Sequence, residues 1–180
     1  MPAARPVNTA KESAAKKAGL LYSPEYLRHY SRRQHPENLD RLKAVVQALK
    51  GSGLLKEFET IHPRCASLQD LQMVHTYEHC VYLREMAASG GGMADPDTYL
   101  NEASFEVACY AAGGMFACVD ALKRGEVQRA LALVRPPGHH ATAGRAAGFC
   151  LFNNAALAAR YAQEKGYKKM ILSTYPIMEH

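Results

Sequence analysis

The sequence predicts an α/β fold, a parallel sheet flanked by helices, from three observations. The short apolar run at residues 130–134 suits a strand that is buried on both faces of a parallel sheet. Residues 154–165 carry a helical pattern that Gly166 stops, and the apolar run 170–172 suits the next strand. Strand, loop, helix and strand in this order are typical of a βαβ unit, with no internal repeat and no second domain.

Length and composition are those of one globular domain. The chain has 180 residues, of which 48% are hydrophobic and 22% charged, so it can bury a real core. Its five cysteines are odd in number, scattered and never spaced C-x-x-C, which argues against a disulfide framework and a zinc knuckle. No uninterrupted apolar run approaches the roughly 18 residues of a membrane span. We therefore expect no membrane partner and a cytoplasmic location, with the nucleus left open.

The net charge of +5 is partly local to the amino terminus. Residues 1–18 hold four basic side chains against the single acid Glu12, a balance typical of a solvated, disordered arm. Contact with nucleic acid or an acidic surface is a minor alternative for this arm, and we expect no direct nucleic-acid partner. The predicted domain therefore begins at residue 19 and runs to residue 172, followed by a tail at 173–180.

The first elements of the domain follow from periodicity and capping residues. Residues 19–22 suit a short strand, and residues 38–49 suit a helix with Asn38 as its cap and Gly51 just past its end. Ser67 with Asp70 resembles a capping box at the head of a short helix.

The middle of the chain predicts a further cap, a loop and a long helix. Thr76 can cap a helix, and the glycine-rich run 89–97 reads as a surface loop. Residues 104–122 carry the longest apolar stripe of helical spacing. Gly113 and Gly114 lie inside this stripe and lower helix propensity, so we expect another element to pack closely against them.

The chemistry is concentrated in the string RPPGHH at residues 135–140, directly after the predicted strand. Ligands bind at the carboxyl ends of strands in open α/β sheets. Adjacent histidines on a strand would face opposite ways, but the preceding Pro-Pro-Gly breaks the strand and lets both imidazoles turn into one pocket. Such a pair can share proton transfer, one neutral as base and the other donating. From spacing alone, a loop with two solvent-facing histidines is an equal alternative.

The strings RPPGHHA and GFCLFNN resemble the active-site segment of the histone deacetylase superfamily, in the form of class II enzymes and bacterial amidohydrolases. Three further family positions follow the same order: HPE at 35–37, VHT at 74–76 and Asp97-Thr98. The resemblance covers residues 19–172. It implies a partial arginase-deacetylase fold and hydrolysis of an N-acetyl amide.

The resemblance also assigns roles to individual residues. His139 and His140 match the tandem histidines that act as general base and as electrostatic or acid partner. Gly148 and Phe149 match the residues that line the tunnel for the acyl-lysine stem, where an aromatic plane can pack along methylenes. Ordinary core packing is the alternative for Phe149. Asp97 matches the rim aspartate that anchors the substrate backbone, although a loop aspartate after proline is as often a turn former.

Three further polar positions are interpreted as structural. His35 and His75 match family positions, but lone histidines beside Pro or Thr are more often hydrogen-bonding residues of the fold than ligands. Asn153 and Asn154 are interpreted as caps of the following helix.

The family pattern fails at residues 173–180. The family has a run of the form Val-Asp-x-Asp-x-His-His-Gly there, which supplies two of three zinc ligands, whereas this chain places Pro176 and Met178 at the ligand positions. Proline has no donor atom and a thioether suits hydrolytic zinc poorly. Zinc is thus the cofactor that the family implies, and we predict no metal-ligating residue in this chain. We expect a truncated, alternatively spliced or frame-shifted product that is inactive alone.

The expected substrate is acetylated lysine in protein, or an acetylated polyamine in the full-length parent. A non-catalytic interaction fragment is the competing hypothesis, and a chain that is unstable because its sheet is unfinished is a third. Oligomeric state is open, with a homo-oligomer among the alternatives.

Overall fold

The computed structural model describes residues 18–172. The predicted tail at 173–180 lies outside the described residues, as does the predicted basic arm apart from Ala18. The helices and strands, in chain order, are β1 (Ala18–Tyr22), α1 (Leu39–Gly51), β2 (Phe58–Ile61), α2 (Leu68–Leu71), α3 (Tyr77–Ala88), β3 (Gly92–Asp95), β4 (Thr98–Leu100), α4 (Ser104–Lys123), β5 (Arg129–Leu133) and α5 (Asn154–Glu164). Two 3₁₀ helices, Pro24–Arg28 and Leu54–Glu57, follow β1 and α1.

A three-stranded parallel sheet is the frame of the fold, with strand order β2-β1-β5. β1 is central, and its Gly19 pairs with Glu59 on one side and with Ala130 on the other. Parallel neighbours need crossovers, which α1 provides between β1 and β2. The predicted α/β class, a parallel sheet flanked by helices, is confirmed.

Helix α4 packs on the sheet with one face and on α3 and α5 with the other. Val107 and Ala111 belong to the core shared with β1 and α1, whereas Ala112 and Phe116 belong to the core shared with α3 and α5. α4 is also long and apolar enough to cross a membrane, as core helices of soluble proteins can be. In its most apolar 18-residue stretch, 61% is buried inside the fold.

The close packing predicted at the two glycines of α4 is confirmed. A Cβ on Gly113 would run into the backbone oxygen of Arg64, and one on Gly114 would lie 2.8 Å from the Tyr26 hydroxyl. Any side chain at either position would therefore push the neighbouring segment away from α4.

The predicted caps are mostly confirmed. Asn38 accepts a hydrogen bond from the Asp40 amide, and Ser67 with Asp70 forms a full capping box. Thr76 caps α3. Gly51 is the last residue of α1, however, and does not follow it.

Three expectations about strands are wrong. Residues 89–97 are not only loop, because 92–95 pair with β4 as an antiparallel hairpin whose turn holds Asp97. β5 is an edge strand of the described sheet and not buried on both faces, so its Leu131 is 43% exposed. Residues 170–172 form no strand, and Ile171 is 94% exposed because nothing in the described part of the chain packs on it.

Candidate active site

The loop between β5 and α5 begins at the carboxyl end of β5, where the sequence places RPPGHH. Its first peptide bond, Arg135–Pro136, is cis. The amino terminus of α5 holds this loop. The Ala155 amide donates to the Gly138 oxygen at 2.9 Å, and the Asn154 side chain donates to the Pro136 oxygen at 3.4 Å. The backbone before the histidines is thus fixed by a rigid helix end.

Asn153 supports the same loop from the other side of the histidines. Its side-chain amide donates to the Ala141 oxygen at 2.9 Å, while its side-chain oxygen caps α5 at the Ala156 amide. Asn154 is the first residue of α5, so only Asn153 is a cap. The predicted cap is therefore confirmed for Asn153 and wrong for Asn154.

The tandem histidines lie side by side on this loop. The ring centroids of His139 and His140 are 4.1 Å apart, with an angle of 49° between the rings. Both side chains are exposed on the side away from the loop. Partial burial, and to a lesser degree the neighbouring His140 ring, lowers the pKa of His139 below its ordinary 6.5. The structure therefore brings the predicted pair together, with His139 favoured in its neutral form.

Gly148 and Phe149 follow the histidines and have left-handed backbone conformations. Gly148 has φ 54° and Phe149 has φ 67°. A Cβ on Gly148 would lie 2.8 Å from the ring of His140, so only glycine lets this segment approach so closely. An aromatic residue rarely adopts a positive φ, and such conformations cluster at functional sites.

Phe149 is half-buried and belongs to neither core cluster, so ordinary core packing does not describe it. Its amide donates to the Thr98 hydroxyl oxygen at 3.0 Å, and its ring meets the His35 ring edge-on at 4.9 Å. Phe149 is thereby joined to the β3–β4 hairpin.

Asp97 lies exposed in the hairpin turn. Its amide donates to Asp95, and its side chain accepts from the Thr98 hydroxyl at 3.2 Å. Because Thr98 also receives the Phe149 amide, Asp97 is placed beside Phe149 and does not hydrogen-bond to the tandem histidines. The structure shows the turn-forming role; the substrate role stays a prediction.

A buried ion pair, to which sequence reasoning assigned no role, lies at the start of the loop. Arg135 binds the Glu37 carboxylate with two parallel hydrogen bonds, Nε to Oε1 at 2.5 Å and Nη2 to Oε2 at 2.8 Å. The Tyr99 hydroxyl also donates to Glu37 at 2.8 Å. Burial alone would raise the pKa of Glu37, but the hydrogen bonds and charge of Arg135 outweigh it and lower that pKa.

His29 packs against this network. Its ring stacks on Tyr99 at 4.5 Å, and its Nδ1 lies 2.7 Å from the Ser104 hydroxyl. Burial lowers the pKa of His29 to about 3, so the ring is neutral beside the ion pair. The HPE and RPP strings contained Glu37 and Arg135, but the sequence holds no signal that they pair.

His35 and His75 both serve the fold. His35 accepts from the Glu37 amide through Nδ1 and donates to the Asp97 oxygen through Nε2. His75 accepts from the Asn153 amide at 2.9 Å, and its Nδ1 faces the Ala143 oxygen. Both ring nitrogens of each histidine are therefore used in backbone contacts.

The residues around the tandem histidines do not fit a zinc ion. Within residues 18–172 no group of three His, Cys, Asp or Glu side chains could hold a metal. Cys150, the thiol beside the loop, is buried and already accepts the His139 amide and donates to the Gly148 oxygen. The described residues thus bring the two histidines together without a set of side chains that could hold a metal.

Comparison with known proteins identifies the family. The family model described as "Histone deacetylase domain" matches residues 35–172. The chain belongs to the histone deacetylase family. A probable deacetylase of Methanothermobacter thermautotrophicus is 42% identical over 145 residues, and human polyamine deacetylase HDAC10 is 39% identical over 136 residues. The matches cover 80% and 72% of this chain, and 42% and 20% of those proteins.

A solved structure supports the same assignment. The crystal structure of the HDA15 HD domain is 38% identical and superposes with a TM-score of 0.81, covering 86% of this chain and 45% of that one. The predicted histone deacetylase resemblance and partial arginase-deacetylase fold are confirmed. The chain spans less than half the length of the relatives reported above.

Proposed function

We propose that this chain supplies the tandem histidines of a zinc-dependent deacetylase site. Such a site hydrolyses the N-acetyl amide of acetyl-lysine. The observation that supports this most is the pair of histidine rings, 4.1 Å apart at the carboxyl end of β5. Gly148 lies directly against His140, which fits the family's arrangement of tandem histidines and tunnel wall.

The proposed roles follow from the surroundings of each side chain. His139, with its lowered pKa, is neutral near pH 7 and can take a proton from an attacking water. His140, whose ring lies beside it, serves as electrostatic or acid partner. Phe149 offers a half-buried aromatic face for the apolar stem of the substrate, and the exposed Asp97 carboxylate would bind the substrate backbone.

Zinc dependence is part of the proposal and rests on the family alone. The metal would polarise the amide carbonyl and its water. No metal-holding group exists among residues 18–172, and Pro176 and Met178 replace the family's ligands in the sequence. We therefore propose that the 180-residue chain does not hydrolyse acetyl-lysine by itself.

A deacetylation assay tests both parts of this proposal. The chain as given and a chimera extended with the carboxyl-terminal half of a family relative are incubated with zinc and a generic acetyl-lysine peptide. We expect acetate release and stoichiometric zinc only in the chimera, and loss of release in its His139→Ala and His140→Ala variants. His62→Ala, at an exposed histidine away from the loop, is the matched control. An inactive, zinc-loaded chimera would refute the deacetylase assignment, and stoichiometric zinc on the chain alone would refute its inactivity.

The substrate class is proposed as acetylated lysine in protein or an acetylated polyamine, because the relatives include a human polyamine deacetylase as well as proteins of histone deacetylase type. Acetylspermidine assayed beside the peptide distinguishes the two. Activity on the polyamine alone would remove the protein substrate from the proposal.

A non-catalytic association role is a second candidate, because the outer edge of β5 is unpaired in the described sheet and Leu131 on it is 43% exposed. Copurification with an intact family member would support it. A chain that stays monomeric in the presence of such a protein would count against it.

A further inference from the structure

Glu37 is the centre of a buried polar network that lies behind the tandem-histidine loop. Its side chain is only 4% exposed and that of Arg135 only 5%. Its carboxylate accepts two hydrogen bonds from Arg135 and one from the Tyr99 hydroxyl. A carboxylate that is withdrawn from water this far is retained only when its partners hold it in one geometry.

One branch of the network leads from Glu37 to the tandem histidines. The guanidinium of Arg135 also donates to the Tyr26 oxygen at 3.3 Å, so its position is set from two sides. Three residues separate Arg135 from His139, and two of them are prolines, which restrict the backbone. The His139 amide then donates to the Cys150 thiol at 3.4 Å. Fixing Arg135 therefore restricts where His139 can lie.

The second branch leads from Glu37 to the wall that Phe149 forms. Tyr99, which donates to the Glu37 carboxylate, follows Thr98 in β4, and Thr98 receives the Phe149 amide at 3.0 Å. The Glu37 amide also donates to His35, whose other ring nitrogen donates to the Asp97 oxygen at 3.1 Å. A single glutamate thus contacts both the segment that carries the histidines and the segments that carry the wall and the rim.

We propose that Glu37 is a positioning residue, which through Arg135 and Tyr99 sets the tandem histidines and the Phe149 wall relative to each other. This inference rests on the proposed function for its catalytic meaning. It concerns the order of the loop in this chain, however, so it is tested without any activity. Loss of the Glu37 charge should increase opening of the loop at residues 136–150 more than it increases unfolding of the sheet.

Thiol labelling of the 180-residue chain measures this difference. Cys150 is the last residue of this loop and is fully buried, whereas Cys118, 6% exposed, lies in the core between α4 and the sheet. Labelling with N-ethylmaleimide under native conditions is followed by trypsin digestion and fragmentation mass spectrometry. Fragment ions separate Cys118 from Cys109 on their shared tryptic peptide and so give one rate for each thiol. The ratio of the two rates reports local opening of the loop, since global unfolding exposes both thiols together.

In Glu37→Gln the ratio of the Cys150 rate to the Cys118 rate should rise at least tenfold. Glu126→Gln is the matched control, because Arg124 binds Glu126 with the same two-bond geometry at the surface, at 2.6 and 2.9 Å. It should leave the ratio unchanged. Because Glu37→Gln also lowers global stability, its ratio is compared with that of Gly113→Ala, which destabilises the core outside this network. A ratio no higher than that of Gly113→Ala would show a purely structural role and overturn the inference.

Arg135→Lys is a second variant, which tests the inference if Glu37→Gln does not fold. Lysine keeps the positive charge but loses the planar two-bond contact, so the ratio should rise while the circular dichroism spectrum stays native. An unchanged ratio overturns the inference. Loss of folding in both variants also overturns it, because the pair would then hold the whole fold and not the loop. Neither outcome bears on the zinc and acetate measurements, so failure of the two proposals can be told apart.

Discussion

Removing the charge of Glu37 should cost this chain a large part of its stability. In Glu37→Gln the guanidinium of Arg135, 5% exposed, remains buried without its counter-charge. Breaking a buried ion pair from one side costs about 3 to 5 kcal/mol in the free energy of unfolding. For a domain of this size that corresponds to a fall in melting temperature of roughly 6 to 20 °C.

Thermal unfolding followed by circular dichroism measures the loss, with Glu126→Gln as the control. The control removes the same charge from a two-bond pair whose side chains are 58% and 54% exposed, so its midpoint should not move. A double change of Glu37 and Arg135 to methionine should recover most of the loss, because no charge is then left buried. A melting temperature of Glu37→Gln within 2 °C of the parent would refute the reasoning.

The same variant has a predicted pH dependence. The pKa of Glu37 is lower in the folded chain than its ordinary 4.5, despite burial, because Arg135 stabilises the carboxylate. A group of this kind stabilises the fold above its unfolded pKa, and the contribution is lost as pH falls through the folded pKa. The difference in stability between the parent and Glu37→Gln should therefore be constant from pH 7 to about 5 and shrink below about 4.5.

Two further predictions concern the core and the buried histidines. Gly113→Ala should lower the free energy of unfolding by about 1 to 3 kcal/mol, because the new methyl group meets the backbone of Arg64, whereas Gly51→Ala, facing open space, should raise it by roughly 0.5 kcal/mol; equal effects in thermal unfolding would contradict the packing. Burial lowers the pKa of His29 to about 3 and of His75 to about 4, so both stabilise the fold fully above pH 6.5 and lose that contribution as pH falls towards those values. His75→Gln should reduce the slope of unfolding free energy against pH, between pH 6 and 5, by about 1 kcal/mol per unit, and an unchanged slope would contradict a neutral buried ring.

The long helices could be predicted from sequence because their signals are local. Apolar spacing defined α1 and α4, and the Asn38 side chain also marked the start of α1. β2, β3 and β4 have only three or four residues each, and their pairing depends on residues far away in the chain. The apolar residues 170–172 looked like a strand locally, but a strand also needs a neighbour, and none lies beside them in the described structure.

In the candidate site, too, residues that share a local sequence pattern were predicted, and residues that pair at long range were not. His139, His140 and Gly148 were found because one short string carries them, and the structure places them in contact. The pair of Glu37 and Arg135 is 98 residues apart in sequence, and nothing in either local pattern predicts that their side chains meet. The sequence therefore predicted the tandem histidines but not the buried ion pair at the start of their loop.

The two sides of the tandem histidines differ in a way that bears on the proposed inactivity of this chain. Behind them, Cys150 and Asn153 fix the loop through hydrogen bonds to its backbone. In front, both rings face water, where a charge that develops on an attacked carbonyl is already screened and a histidine base gains little. Catalytic dipoles gain their strength when water is excluded and the developing charge meets fixed partners. Under the proposed function, exclusion of water from this face and supply of a metal are both required before the histidines can act.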